Sequence, residues 1–171
     1  MQATITPSST ALTIAQAIAS SSVTVTGASF VALPPSGTPN GVSTSVLGGF
    51  PIDGASYGIL TSGNVSSVDQ PGTLADTGDG GGHVRGNTDY DVSILRIDLS
   101  VPQQANCLTF NFKFLSEEYP SFVGSGFNDA FVAELDTSDW TTSGSTISAP
   151  HNFAFDATNN VVSVNSTGLG G

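Results

Sequence analysis

An all-β fold, a β-sandwich or jelly roll with one short N-terminal helix, is what this sequence predicts, and three observations carry the prediction. Short apolar and β-branched runs alternate with polar residues at a period of two, as at Val23-Thr24-Val25-Thr26 and at Leu108, Phe110, Phe112 and Phe114. Gly, Pro, Ser and Asn punctuate the chain between those runs, which is turn chemistry at strand spacing. Only one stretch, near the start, has helical periodicity. At 171 residues the chain has the size of a single domain able to bury a core, so residues 1–171 are read as one sandwich domain, opened by an N-terminal segment over residues 1–22.

Taken in order, Thr10 is a candidate cap for a helix over residues 11–20, because Leu12, Ala15 and Ile18 or Ala19 recur at helical spacing behind a hydroxyl acceptor. It carries no Lys or Arg, so it reads as a cover for a sheet rather than a membrane-surface helix. Strands follow over residues 23–26 and 30–33, with Gly27 allowing a bulge and Pro34-Pro35 ending the run. Asn40-Gly41 reads as the end of a loop, and further strands are predicted over residues 42–47, 57–61, 92–99, 108–115, 130–135, 153–155 and 161–164. The connection over residues 65–89 is too long for a hairpin and too rich in glycine for a helix. It contains Asp76-Thr77-Gly78-Asp79-Gly80-Gly81-Gly82-His83, and connections of that length are commonly functional or mobile.

The most regular strand pattern, residues 108–115, runs into the densest acid cluster. Tyr119-Pro120 stops the strand, since proline offers no amide hydrogen to a ladder, and Phe131, Ala133 and Leu135 alternate as if a second strand returned beside the first. Between them lies the candidate site. Calcium takes six to eight oxygens from carboxylates, amides and backbone, and this loop supplies Glu117, Glu118, Asn128 and Asp129 as metal ligands. Asp76 and Asp79 form a second candidate, and Asp89 and Asp91, two apart, share a face if they lie on a strand. The competing reading is that loop acids are solvated, with Asp and Asn chosen for their turn hydrogen bonds.

The segment Phe-Leu-Ser-Glu-Glu-Tyr-Pro-Ser-Phe-Val-Gly-Ser-Gly-Phe-Asn-Asp-Ala-Phe at residues 114–131 closely resembles the signature of the choice-of-anchor L domain family. Fainter likeness extends through Gly58-Ile59-Leu60-Thr61-Ser62-Gly63-Asn64, Asp89-Tyr90-Asp91-Val92-Ser93-Ile94-Leu95 and residues 149–167. The resemblance implies an exported bacterial domain found beside several kinds of surface-anchoring signal, and it implies location more than chemistry. The family pattern continues into further strands and an Asp-Asn-hydrophobic segment that this chain lacks. That departure leaves three expectations: the missing strands belong to a separate chain, a neighbouring subunit donates one, or the chain closes the sandwich with its own N-terminal segment. Completion by another chain is favoured, with Ala3, Thr4, Ile5 and Thr6 as the strand donated if the partner is another copy.

Charge excludes some partners. Three basic residues stand against fourteen acidic ones, for a net charge of −11 and a pI near 4.1, so nucleic acid is a poor partner and an anionic membrane surface is repelled. No apolar run is long enough to cross a bilayer. The first residues lack a secretory signal's basic start and apolar core, so an exported chain is expected here in mature form. Cys107, the single cysteine, permits no intrachain disulfide and reads as an inert strand residue.

Catalytic patterns are thin. Gly54-Ala55-Ser56-Tyr57-Gly58 matches Gly-x-Ser-x-Gly in letters, but a nucleophile elbow needs a strand before it and a helix after it. Adjacent Glu117 and Glu118 are poorly placed to flank a glycosidic bond, and Glu134 has no visible partner. His83 and His151 lie in unlike contexts without thiols for zinc. The expectation is a non-enzyme: an extracellular cell-surface domain, stabilised by calcium, for adhesion or for assembly with other chains or copies of itself into a filament. A calcium-dependent lectin-like module holding a glycan is the alternative, and a hydrolase comes last.

Overall fold

The computed structural model describes residues 3–70 and 83–169, and Asp76 and Asp79 lie outside the described residues. Described strands pair antiparallel throughout, consistent with the predicted all-β class. The chain divides into two compact units, Met1–Gly81 with Tyr90–Phe112 and Gly82–Asp89 with Lys113–Gly171.

In the first unit, β1 (Ile5–Pro7), β3 (Asn40–Ser43) and β4 (Tyr57–Leu60) form one sheet in the order β1-β3-β4. The long strands β2 (Thr24–Ala32) and β5 (Ile94–Ser100) form a second, two-stranded one. The bulge expected at Gly27 is present, since Val25 pairs with Leu99 and Gly27 with Asp98, leaving Thr26 without a register partner. Helix α1 (Ala11–Ile18) packs against β2 and β4. It stops two residues short of the predicted end, and Thr10 sits extended at the cap position without a side-chain capping bond. The buried stripe is Ala11, Ile14 and Ala15, whereas Leu12 and Ile18 are exposed; the 3.6-residue period was legible, but its phase is set one residue from the predicted one by the sheet beneath. Ile14, Ala15 and Val65 are sealed from solvent. Tyr57 is buried with them and donates its hydroxyl to the Ser45 carbonyl at 2.9 Å, which satisfies its polar end.

Asn40-Gly41 opens β3 rather than closing a loop, and Gly41 is needed there because a Cβ would lie 2.9 Å from the Thr6 carbonyl across the strand pair. Ile5 and Thr6, two of the donor candidates, pair with Ser43 and Val42 inside the chain, and the Ala3 N–H donates to Asp69 at 2.7 Å.

The second unit departs further from expectation. Residues 108–115, of which only 113–115 fall in this unit, belong to no strand; Phe112 and Phe114 are half-buried between exposed Asn111, Lys113 and Leu115, but Leu108, Thr109 and Phe110 are all exposed. The returning partner is short, β6 (Ala130–Phe131), and pairs with β9 (Val162–Ser163) instead. Period two reports which side chains share a face; it does not choose the neighbour. Residues 153–155 and 133–135 contribute only the bridges Phe155 to Val161 and Glu134 to Asn152. The predicted strand at 161–164 gives way to helix α2 (Val164–Leu169) at Val164. A hairpin not expected from the sequence, β7 (Thr141–Ser143) and β8 (Thr146–Ser148), turns at Gly144-Ser145, with Gly144 at φ +57°. Its signal was present, a Gly-Ser pair between two threonine-rich runs. Cys107 is exposed and outside any strand, contrary to the inert strand position expected of it.

Candidate functional site

The acidic loop is a succession of tight turns. Glu118 carbonyl accepts from the Phe122 N–H at 2.8 Å, Pro120 carbonyl from Val123 and Phe122 carbonyl from Ser125 at 2.9 Å; the Tyr119-Pro120 peptide is cis. Ser116 joins the loop's two ends, because its hydroxyl donates to Asp129 Oδ2 at 3.2 Å and accepts from the Glu118 N–H at 3.2 Å. Glu117 is exposed and Glu118 half-buried, so the adjacent carboxylates remain in different environments although the chain has turned.

Asn165 on α2 clasps the loop from outside. Its side-chain oxygen accepts from the Gly124 N–H at 2.7 Å, its amide nitrogen donates to the Ser125 and Phe127 carbonyls at 3.2 and 3.3 Å, and its backbone N–H donates to Asn128 Oδ1 at 2.8 Å. Asn128 also donates to the Ser145 carbonyl at 2.7 Å. Both polar atoms of Asn128 therefore serve the loop's architecture. Among the described residues no three His, Cys, Asp or Glu side chains are grouped to hold a metal ion. Asn165 escaped the sequence reading because nothing in its neighbourhood marks it; only folding brings it to residue 128.

The turn over residues 83–89 is organised by a buried carboxylate. Asp89 is 5% exposed, and its Oδ2 accepts from the N–H groups of Val84 and Arg85 at 2.6 and 2.5 Å. Residues 89 and 91 do not share a strand face as expected, since β5 begins only at Ile94 and Asp91 sits at φ +51°. The turn rests on the hairpin: Thr88 Oγ1 donates to the Gly144 carbonyl, the Gly144 N–H to Asn87 Oδ1 at 3.2 Å, and the Arg85 guanidinium lies 5.2 Å from the Trp140 ring centroid. Glu134, which had no visible partner in the sequence, accepts from the Asp139 and Trp140 N–H groups at 3.1 and 3.0 Å. That is a turn cap. Buried Asn152 similarly links segments, accepting from Ala133 N–H at 2.9 Å and Ala154 N–H at 3.1 Å. In the Gly-x-Ser-x-Gly match, Ser56 donates to the Ala17 carbonyl at 3.2 Å and the following residues form β4, so no helix follows to build an elbow.

Asp156 closes a third loop. The backbone N–H of Asn160 holds its carboxyl below the ordinary 3.8, to about 2, against an opposing cost of desolvation, with the Thr158 hydroxyl, the Thr158 N–H and the Asn160 amide adding to the lowering. A depressed carboxylate stabilises the fold fully above the unfolded value, and the contribution disappears as pH falls from about 3.8 through about 2. Carbon-detected NMR should therefore place the Asp156 titration midpoint near 2, with Asp156→Asn removing this part of the acid dependence. A midpoint at the ordinary carboxylate value would show that the loop does not hold the carboxylate.

Among the described residues no helix is long and apolar enough to cross a membrane. The family model of the Choice-of-anchor L domain matches residues 8–168. No curated protein and no solved structure matches the chain.

Proposed function

Because this chain belongs to the choice-of-anchor L domain family, a family of exported, surface-associated domains not known as enzymes, we propose that it is a non-catalytic contact module for assembling a cell-surface structure. The observation that carries this is the loop's apolar crown. Leu115, Tyr119, Phe122 and Phe127 are 58%, 53%, 40% and 63% exposed, and the last two rings meet edge to face at 5.8 Å. Burying one such side chain against a partner gains roughly 1.5–3 kcal/mol, and clustered aromatics are the anchors from which protein interfaces are built. The underlying turns and the Asn165 clasp hold these side chains in place beforehand, which reduces the ordering cost of association.

Donation of Ala3, Thr4, Ile5 and Thr6 to another copy would require β1 to exchange its pairing with β3, a domain swap. The loop needs no such exchange and is the preferred contact. Calcium at Glu118 and Asp129 would neutralise acids beside the apolar surface and stiffen the loop. The lectin-like alternative is favoured by one feature, the exposed ring of Tyr119 beside Glu117 and Glu118.

Light scattering across a concentration series tests the proposal. The wild-type chain should self-associate, and Phe122→Ser/Phe127→Ser should be monomeric with an unchanged melting temperature. Calcium at a hundredfold excess over its Kd should raise Tm by roughly 5–10 °C, and Asp129→Ala should remove most of that gain. A wild-type chain that stays monomeric with and without calcium sinks the assembly reading; binding to a glycan array that requires Tyr119 would replace it with the lectin reading.

A further inference from the structure

The second unit holds two histidine–carboxylate pairs, and they are built differently. His151 Nδ1 lies 2.8 Å from Asp139 Oδ2, with both side chains open to solvent at 53% and 36%. That is a direct surface hydrogen bond. His83 Nδ1 lies 3.5 Å from Asp89 Oδ1, with the Asp89 side chain only 2% exposed. This separation exceeds a good hydrogen bond, and Asp89 Oδ1 is buried without a hydrogen-bond partner among the described residues. A buried carboxylate oxygen left in that state is costly.

We propose that His83 and Asp89 are the protein ligands of a divalent transition-metal ion of the zinc class, the remaining positions being filled by water. Two ligands bound at about 2.0–2.2 Å and separated by a tetrahedral angle stand roughly 3.4 Å apart, which the 3.5 Å gap matches. The other carboxylate oxygen is fixed by the Val84 and Arg85 N–H groups at 2.6 and 2.5 Å, an outer-shell arrangement of the kind that orients a ligating carboxylate. The imidazole is 40% exposed and the carboxylate 2%, so an ion reaches the pair from the His83 side. Arg85, the cation nearest in sequence, places its guanidinium over Trp140, where the ring face accommodates the charge. Imidazole nitrogen selects zinc, nickel or copper over calcium, which separates this site from the acidic loop. With no third His, Cys, Asp or Glu grouped there among the described residues, the affinity is set by two protein ligands and is modest.

Isothermal titration of chelator-stripped protein with zinc chloride tests the site, using wild type, His83→Ala and His151→Ala. The turn's amide signals report whether His83→Ala keeps the fold; His151→Ala removes the hydrogen-bonded pair as a control. One zinc should bind wild type and His151→Ala alike, with affinity at least tenfold weaker in His83→Ala. Nitrogen NMR should show zinc shifting the His83 ring and not that of His151. Asp89→Asn, which keeps an acceptor for the Val84 and Arg85 N–H groups, should weaken zinc binding while the turn's amide signals stay in place. Absence of zinc binding, equal binding in wild type and His83→Ala, or loss through His151→Ala would each overturn the assignment, as would a preference for calcium over zinc.

Discussion

Gly86→Ala lowers stability by about 2–5 kcal/mol, because two separate costs fall on one added methyl group. Gly86 sits at φ +79°, where a residue with a Cβ is strained by about 1–2 kcal/mol. The methyl would also be directed at Thr142, 2.6 Å from its backbone nitrogen and 2.5 Å from Oγ1, with its carbonyl oxygen equally crowded. Trimming the Thr142 side chain relieves only the hydroxyl overlap, so Gly86→Ala/Thr142→Ala should recover little. Urea unfolding monitored through Trp140, which lies under Arg85 beside this turn, measures the loss directly. A midpoint equal to wild type would mean that the turn over residues 83–89 does not rest on the β7–β8 hairpin in solution.

Ile14→Ala costs about 2–5 kcal/mol through lost burial and the cavity left behind. Ile14 is fully buried, at the centre of the α1 stripe that faces β4. The helix approaches β4 so closely that a Cβ on Gly58 would lie 2.8 Å from both Ile14 Cγ2 and Ile18 Cγ1. Gly58→Ala therefore overpacks the same interface, at about 1–3 kcal/mol. The two changes should couple: with Ile14 truncated, the Gly58 methyl has part of the vacated space, and the double variant should be more stable than the sum of the single losses predicts. Additive losses would place α1 farther from the sheet than described.

How much of this was legible beforehand depends on whether a feature is local. The bulge at Gly27, the helix near the N-terminus and the strands around Tyr57 and Ile94 follow from backbone freedom, periodicity and turn chemistry, all readable from adjacent residues. The acidic loop was legible too, as a break between alternating runs. Its anchoring was not, since Ser116 and Asn165 reach it across the chain and an isolated Ser or Asn carries no sign of its partner.

The sequence by itself determined the all-β class and the family, because composition, period and motif do not depend on where the chain folds back. Tertiary structure alone decided strand partners and the fate of the polar residues. Residues 108–115 join no strand and alternate in burial only from Asn111 onward, because alternation sorts side chains by face while pairing depends on which segment arrives alongside, and β9 arrives beside β6. Asp89 reads in the sequence as one more loop acid. It became the buried organiser of a turn only because the backbone N–H groups of Val84 and Arg85 converge on its carboxylate once the chain has closed.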